Sequence, residues 1–175
     1  INQFDPWRRF HIFDWLFCIS LNHVFNAAPI NFLKTGKLQF RIPGLIWLTH
    51  TNSLASDSLD FFGLNYYSHV HIKFSLTKKD FSIIRYPKND KMTDMPYVMY
   101  PEGIYRAIEE VSSLGVPILI TENGVADEKD NIRKEFIEKY IFAISKAIKD
   151  GYDVQGYFYW SLMDNFEWAF GYDMK

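Results

Sequence analysis

The sequence predicts an α/β fold in which parallel strands alternate with helices. Three observations lead there. Apolar runs at 59–67 (LDFFGLNYY), 116–123 (VPILITEN) and 154–162 (VQGYFYWSL) read as strands. These runs are apolar on both faces, as strands covered by helices on each side must be. Patterns of helical period stand between them, so successive strands are joined by crossovers and run parallel.

Each element has its own justification. Asp5-Pro6 reads as an N-cap followed by a first-turn proline. After it Trp7, Phe10, Asp14, Phe17, Leu21 and Val24 recur at helical spacing, which predicts a helix over 5–25. Residues 26–58, punctuated by Pro29, Gly36, Pro43 and Gly44, predict loop with short helical turns. HVHIKFSL at 69–76 extends the strand of 59–67 or forms a second one. Residues 77–100 carry Lys78, Lys79, Arg85, Lys88 and Lys91, interleaved with Asp80, Pro87, Asp90 and Pro96. They predict a long exposed excursion with a solvated, charged face. Pro101-Glu102-Gly103 opens a helix whose apolar face is Ile104, Ile108, Val111 and Leu114, ended by Gly115 and Pro117. Asp130 is expected to cap the next helix, with Phe136, Tyr140, Ala143, Ile144 and Ala147 on its buried side and Lys149-Asp150-Gly151 closing it.

Composition narrows the function. Of 175 residues 48% are hydrophobic, enough for a sizeable core, and an aromatic share of 18% leaves some for a binding surface. A net charge of −2 argues against a nucleic-acid partner, which requires a clear Lys/Arg excess. FHIFDWLFCISL is broken by Asp14 and reads as too short to span a bilayer, so no membrane partner is expected. The one cysteine, Cys18, permits no intrachain disulfide. No basic segment followed by an apolar run and a small-residue cleavage site is visible, and the expected location is cytoplasmic. The start at Ile1 and the end at GYDMK predict a piece of a longer chain.

In parallel α/β sheets ligands bind beyond the carboxyl ends of the strands. The three strands deliver Asn65, Tyr66 and Tyr67, Glu122, and Trp160 to Trp168 to that one rim. Taken singly, these residues read blandly. Glu122 reads as a loop carboxylate before an Asn-Gly turn, Asn65 as a turn residue, Tyr67 and Trp160 as core aromatics, and Glu167 as a solvated charge. Together they describe a sugar site. Trp faces stack on the C–H faces of a pyranose, Glu and Asn take its hydroxyls, and one carboxylate stands at the reacting carbon.

LDFFGLNYYS, ITENG and GYFYWSLMDNFEW, in that order, resemble three signatures of glycoside hydrolase family 1, the β-glucosidase family of (β/α)8 barrels. The resemblance covers roughly residues 54–175. It implies that Glu122 is the catalytic nucleophile, that the Tyr67 hydroxyl touches it, and that Asn65 is a polar residue near the sugar. It implies sugar-platform roles for Trp160 and Trp168, and for Glu167 a grip on hydroxyls remote from the anomeric carbon. Phospho-sugar members carry a different cluster in place of that glutamate, so Glu167 implies an unphosphorylated sugar.

The family's acid/base glutamate lies in an Asn-Glu-Pro motif, and no Asn-Glu-Pro occurs here. Asp164 and Glu167 are the nearest substitutes, but the family uses that loop for binding. The expected architecture is therefore a single partial domain over 1–175, the C-terminal portion of a (β/α)8 barrel. Its partners would be a β-glycoside or oligosaccharide substrate and the N-terminal half of the barrel, which supplies the acid/base. Such a half barrel leaves an open sheet edge and an uncovered apolar face. The expected function is that of a retaining β-glycosidase. A non-catalytic carbohydrate-binding or interaction module derived from the same barrel is the alternative. No cofactor is expected, since G-x-G-x-x-G and Walker-type loops are missing. No metal is expected either, because His69 and His71, at i and i+2, have no third ligand at a recognisable spacing.

Overall fold

A computed structural model describes residues 1–42, 46–77, 82–85 and 91–173. In chain order the elements are β1 (Gln3–Pro6), α1 (Ile12–Asn22), a π turn (His23–Ala27), α2 (Ala28–Thr35), β2 (Lys37–Ile42) and β3 (Ile46–Thr51). A 3-10 turn (Ser53–Asp57) leads to β4 (Phe62–Asn65), β5 (His69–Phe74) and β6 (Ser82–Arg85). Then follow α3 (Pro101–Ser112), β7 (Ile118–Asn123), α4 (Arg133–Lys149) and β8 (Val154–Tyr159).

The expected βαβαβ unit is present. β4, β7 and β8 form one sheet in that order, both pairs parallel, with α3 and α4 as the crossovers. The two helices pack on each other and on one sheet face. Ile104, Ala107, Ile108 and Val111 of α3 and Phe136, Tyr140, Ile144 and Ala147 of α4 share a core with Leu64, Ile118 and Ile120. Burying each such side chain contributes about 1.5–3 kcal/mol. Gly103 is obligatory in α3, because a Cβ there would lie 1.8 Å from the Tyr66 hydroxyl. That hydroxyl donates to the Tyr100 carbonyl at 3.0 Å.

The N-terminal third departs from expectation. Asp5 and Pro6 belong to a strand, not a helix start: β1 runs parallel to β5, with Gln3 opposite His69 and Asp5 opposite His71. Pro6 is tolerated because β1 is an edge strand at the end of the order β1-β5-β6. The helix begins at Ile12, and His11 caps it by accepting from the Asp14 amide. Residues 26–58 are not loop. They hold α2 and the antiparallel β2–β3 pair, whose Lys37-Leu38-Gln39-Phe40-Arg41-Ile42 strand alternates polar and apolar. Pro43 and Gly44, read above as punctuation, lie outside the described residues. Gly36 closes α2 at φ +71, and a Cβ there would sit 2.5 Å from the Asn52 carbonyl oxygen. Of residues 69–76, His69–Phe74 form a strand of their own, in a different sheet from β4. The excursion over 77–100 contains β6, antiparallel to β5, and the buried Val98; Lys78, Lys79 and Lys88 lie outside the described residues. Asp130 does not cap α4: Ile132 holds the N-cap position, and the Asp127 carboxylate accepts from the amides of Ile132 (2.7 Å) and Arg133 (2.9 Å).

Through the π turn, Ile12–Thr35 form one helical run of 24 residues. By length and composition alone it would cross a bilayer, longer than the interrupted apolar stretch suggested. Here its buried polar residues tie it to the residues flanking β1 and to the end of β5. Asn26 bonds the backbone of Asn2, and Asp14 is wholly buried. Asp14 accepts from Arg8 Nε (2.9 Å), Arg8 Nη2 (2.6 Å) and the amides of Arg8 and Phe74. Burial alone would raise its carboxyl, but these bonds outweigh it and hold the group at about 2 rather than 3.8. Because the folded value is depressed, the stabilisation is complete above about pH 4 and is lost as pH falls toward 2. Asp14→Ala is expected to cost about 3 kcal/mol at neutral pH, measured by urea denaturation, and to flatten the acid limb of the stability–pH curve. The uncovered apolar surface expected of an open barrel is also present: Phe10 before the first helix, Ile12, Trp15, Leu16 and Ile19 of α1, and Phe142 of α4, are exposed.

Candidate active site

The parallel register puts the three strand ends side by side. Asn65 pairs with Glu122, and Asn123 with Tyr159. An irregularity in β7 then decides where Glu122 points. Ile118 and Ile120 face the helix core, and strict alternation would send residue 122 there too. The register instead slips, with Leu64 opposite Ile120 but Asn65 opposite Glu122, so that Asn123 takes the buried position. A bulge of this kind re-aims one side chain at the cost of one unpaired residue. Asn123 is satisfied where it lies. Its Nδ2 donates to the Tyr66 carbonyl at 2.7 Å and its Oδ1 accepts from the Tyr157 hydroxyl at 3.0 Å.

Glu122 is thereby turned into a cavity of about 400 Å³. Tyr67, Trp160, Glu167 and Trp168 line the same cavity. The Tyr67 hydroxyl donates to Glu122 Oε2 at 2.9 Å. Burial first, and that bond second, push the Tyr67 hydroxyl well above its ordinary range, so it remains a donor to the carboxylate. Trp160 Nε1 donates to Glu167 Oε1 at 3.3 Å, fixing the two residues against each other. Trp168 is 85% exposed, with its indole at the mouth. Asn65 is the one expected site residue outside the cavity wall. Its side-chain oxygen instead accepts from Thr121 Oγ1 at 2.6 Å.

The exit of β8 is clasped to the exit of β7. The Trp160 amide donates to the Asn123 carbonyl at 3.0 Å, and the Trp160 carbonyl then passes over Gly124. A Cβ on Gly124 would lie 1.6 Å from that oxygen, so the approach requires glycine. The Trp160–Ser161 peptide is cis.

Sequence reasoning missed Met95 and Tyr97, which line the cavity from within the supposed exposed excursion. Tyr97 leans on Tyr67, ring centroids 6.0 Å apart. The segment is pinned there by Asp94, whose amide donates to the Ala126 carbonyl (3.0 Å), and by Val98, whose amide donates to Ser68 Oγ (2.9 Å). The aromatic cluster of PYVMYP at 96–101 was the available signal. An acidic group held by a phenol, beside indole faces and a second carboxylate, suits a neutral, hydroxyl-rich ring with apolar C–H faces.

Residues 45–175 match the profile of Glycosyl hydrolase family 1. A beta-galactosidase of Pyrococcus woesei is 48% identical over 89 residues, 50% of this chain and 18% of that protein. The galactolipid galactosyltransferase SFR2 (chloroplastic) of Arabidopsis thaliana is 35% identical over 123 residues, 68% of this chain and 19% of that protein. Among solved structures, the beta-glycosidase from Pyrococcus horikoshii superposes with a TM-score of 0.83 at 32% identity, over 99% of this chain and 40% of that one. The matched regions thus span from less than a fifth to two fifths of these proteins' own lengths.

Proposed function

The chain belongs to glycosyl hydrolase family 1, as the C-terminal portion of its (β/α)8 barrel, and on that premise we propose that it carries the nucleophile side of a retaining β-glycosidase site. Glu122 attacks the anomeric carbon and forms a covalent glycosyl-enzyme as the bond to the leaving oxygen breaks. A second carboxyl protonates that oxygen, then takes a proton from the water that releases the sugar. In retaining enzymes it stands about 5–5.5 Å from the nucleophile. A part of the barrel outside this chain supplies it. Trp160 and Trp168 stack on the sugar, and Glu167 binds its hydroxyls and so selects an unphosphorylated ring; Asn65, outside the cavity wall, is left without the expected place beside the sugar. Two carboxyls suffice for this chemistry, with no cofactor.

The Tyr67–Glu122 hydrogen bond inside the cavity carries the reading. A module that only binds carbohydrate has no use for a carboxylate oriented by a phenol. A second outcome for the glycosyl-enzyme, transfer to a sugar hydroxyl instead of water, is favoured by the likeness to a relative named as a galactosyltransferase.

The test is intact mass after incubation with a 2-deoxy-2-fluoro-glucoside bearing an activated leaving group, which needs little acid assistance. One glycosyl adduct, mapped to Glu122, is expected. An adduct on another residue overturns the assignment of the nucleophile. Sugar binding with no adduct returns the chain to the binding-module reading. Efficient cellobiose hydrolysis by this chain alone contradicts an acid/base supplied from outside it.

A further inference from the structure

Two histidines lacking a third ligand in the sequence gain one in the fold. β1 runs parallel to β5 in a register that sets Asp5 opposite His71 and Gln3 opposite His69. Residues two apart on a strand share a face, and register partners on neighbouring strands share it too. One donor atom each from Asp5, His69 and His71 therefore falls within 4.8 Å of the others. None of the three lines the sugar cavity.

We propose that Asp5, His69 and His71 bind one divalent transition-metal ion of the Zn²⁺ class across the β1–β5 seam. The donor set, two imidazoles and a carboxylate, is the one borderline ions such as Zn²⁺ and Co²⁺ prefer, and a water completes four-coordination. Zinc-to-ligand distances near 2.0–2.2 Å put tetrahedral donors about 3.3 Å apart, so binding closes the widest separation by at most about 1.5 Å.

The seam is built to hold these groups. His69 is buried and stacks on Tyr100, centroids 3.8 Å apart and planes 17° from parallel. Its Nδ1 faces Asp5 Oδ2 at 2.7 Å, while its buried Nε2 has no hydrogen-bond partner. That Nε2 lies across the ring from Asp5, so the ion would enter between Nδ1 and Oδ2 and take the place of the proton they share. The His71 ring lies edge-on to His69 at 4.7 Å and to Trp7 at 6.1 Å. Arg106 works against the ion. Its Nη1 is 3.8 Å from Asp5 Oδ1 and competes for the carboxylate. The affinity is therefore micromolar, weaker than that of an all-cysteine zinc site.

The test is a titration of metal-stripped protein with Co²⁺ and Zn²⁺, followed by calorimetry and by the visible absorption of four- or five-coordinate Co²⁺. One equivalent binds in the micromolar range. His71→Ala leaves the Asp5–His69 bond in place, and Asp5→Asn keeps an acceptor for His69. Each lowers affinity by at least about tenfold, while His50→Ala, at an exposed histidine, changes nothing. Failure to saturate at one equivalent, or unchanged binding in either site variant, overturns the proposal.

Discussion

Glu122→Gln is expected to lower turnover of an activated aryl β-glycoside by about 10⁴-fold or more. The amide is nearly isosteric and can still accept a hydrogen bond from Tyr67, so the cavity and the affinity for sugar should be retained. What is lost is the charged nucleophile. The measurement is kcat and KM of the protein together with its acid/base segment, with inhibitor binding as the control for folding. A kcat within tenfold of the wild type would remove Glu122 from the reaction. The bulge in β7 explains why no neighbour can substitute. The slip that turns Glu122 into the cavity commits Asn123 to the core, where both ends of its amide are bonded.

Gly124→Ala is the second change with a large expected effect. The added methyl would lie 1.6 Å from the Trp160 carbonyl oxygen and 2.6 Å from its carbon, both backbone atoms that cannot swing aside. Overpacking against rigid atoms costs about 3 kcal/mol or more. For a chain of this length that corresponds to a fall in melting temperature of about 6–12 °C. The displaced part is the turn carrying Trp160 and Glu167, so sugar affinity should fall with stability. Calorimetric melting and inhibitor titration of the same variant check both. Unaltered melting would mean that the β7 and β8 exits are not clasped as described.

The parts legible in the sequence were those in which local pattern and global packing agree. α3 and α4 have one apolar face each, and every residue assigned to the buried side of α4 is buried. β7 and β8 are short apolar runs between clear breakers. Glu122, Tyr67, Trp160, Glu167 and Trp168 were legible because strand ends converge in a parallel sheet, and they do line one cavity. The misreadings have physical sources. Asp-Pro fits a helix start as well as an edge strand, and only pairing with residues 66 positions away decides between them. The alternation of Lys37–Ile42 was a strand signal hidden under a loop assignment made from glycine and proline alone. Asp127 and Asp130 are equally good caps by residue type, and the positive φ of Asp130 takes it out of that role. Met95 and Tyr97 are held at the cavity by bonds to Ala126 and Ser68, which no local pattern encodes.

β7 lies between β4 and β8, and this position sets the order in which the cavity comes apart. Its amides and carbonyls are bonded on both flanks, whereas each neighbour is bonded to it on one flank only. Under mild heat or denaturant an edge strand detaches before the middle one. Tyr67 follows β4 and Trp160 follows β8, so the phenol and the indole leave first, from opposite sides, while the carboxylate keeps its place. Partial unfolding therefore leaves the Glu122 carboxylate standing in water without the Tyr67 hydroxyl or the Trp160 indole beside it. Loss of the cavity then precedes collapse of the core, and it reverses by re-zipping one strand rather than refolding the whole chain.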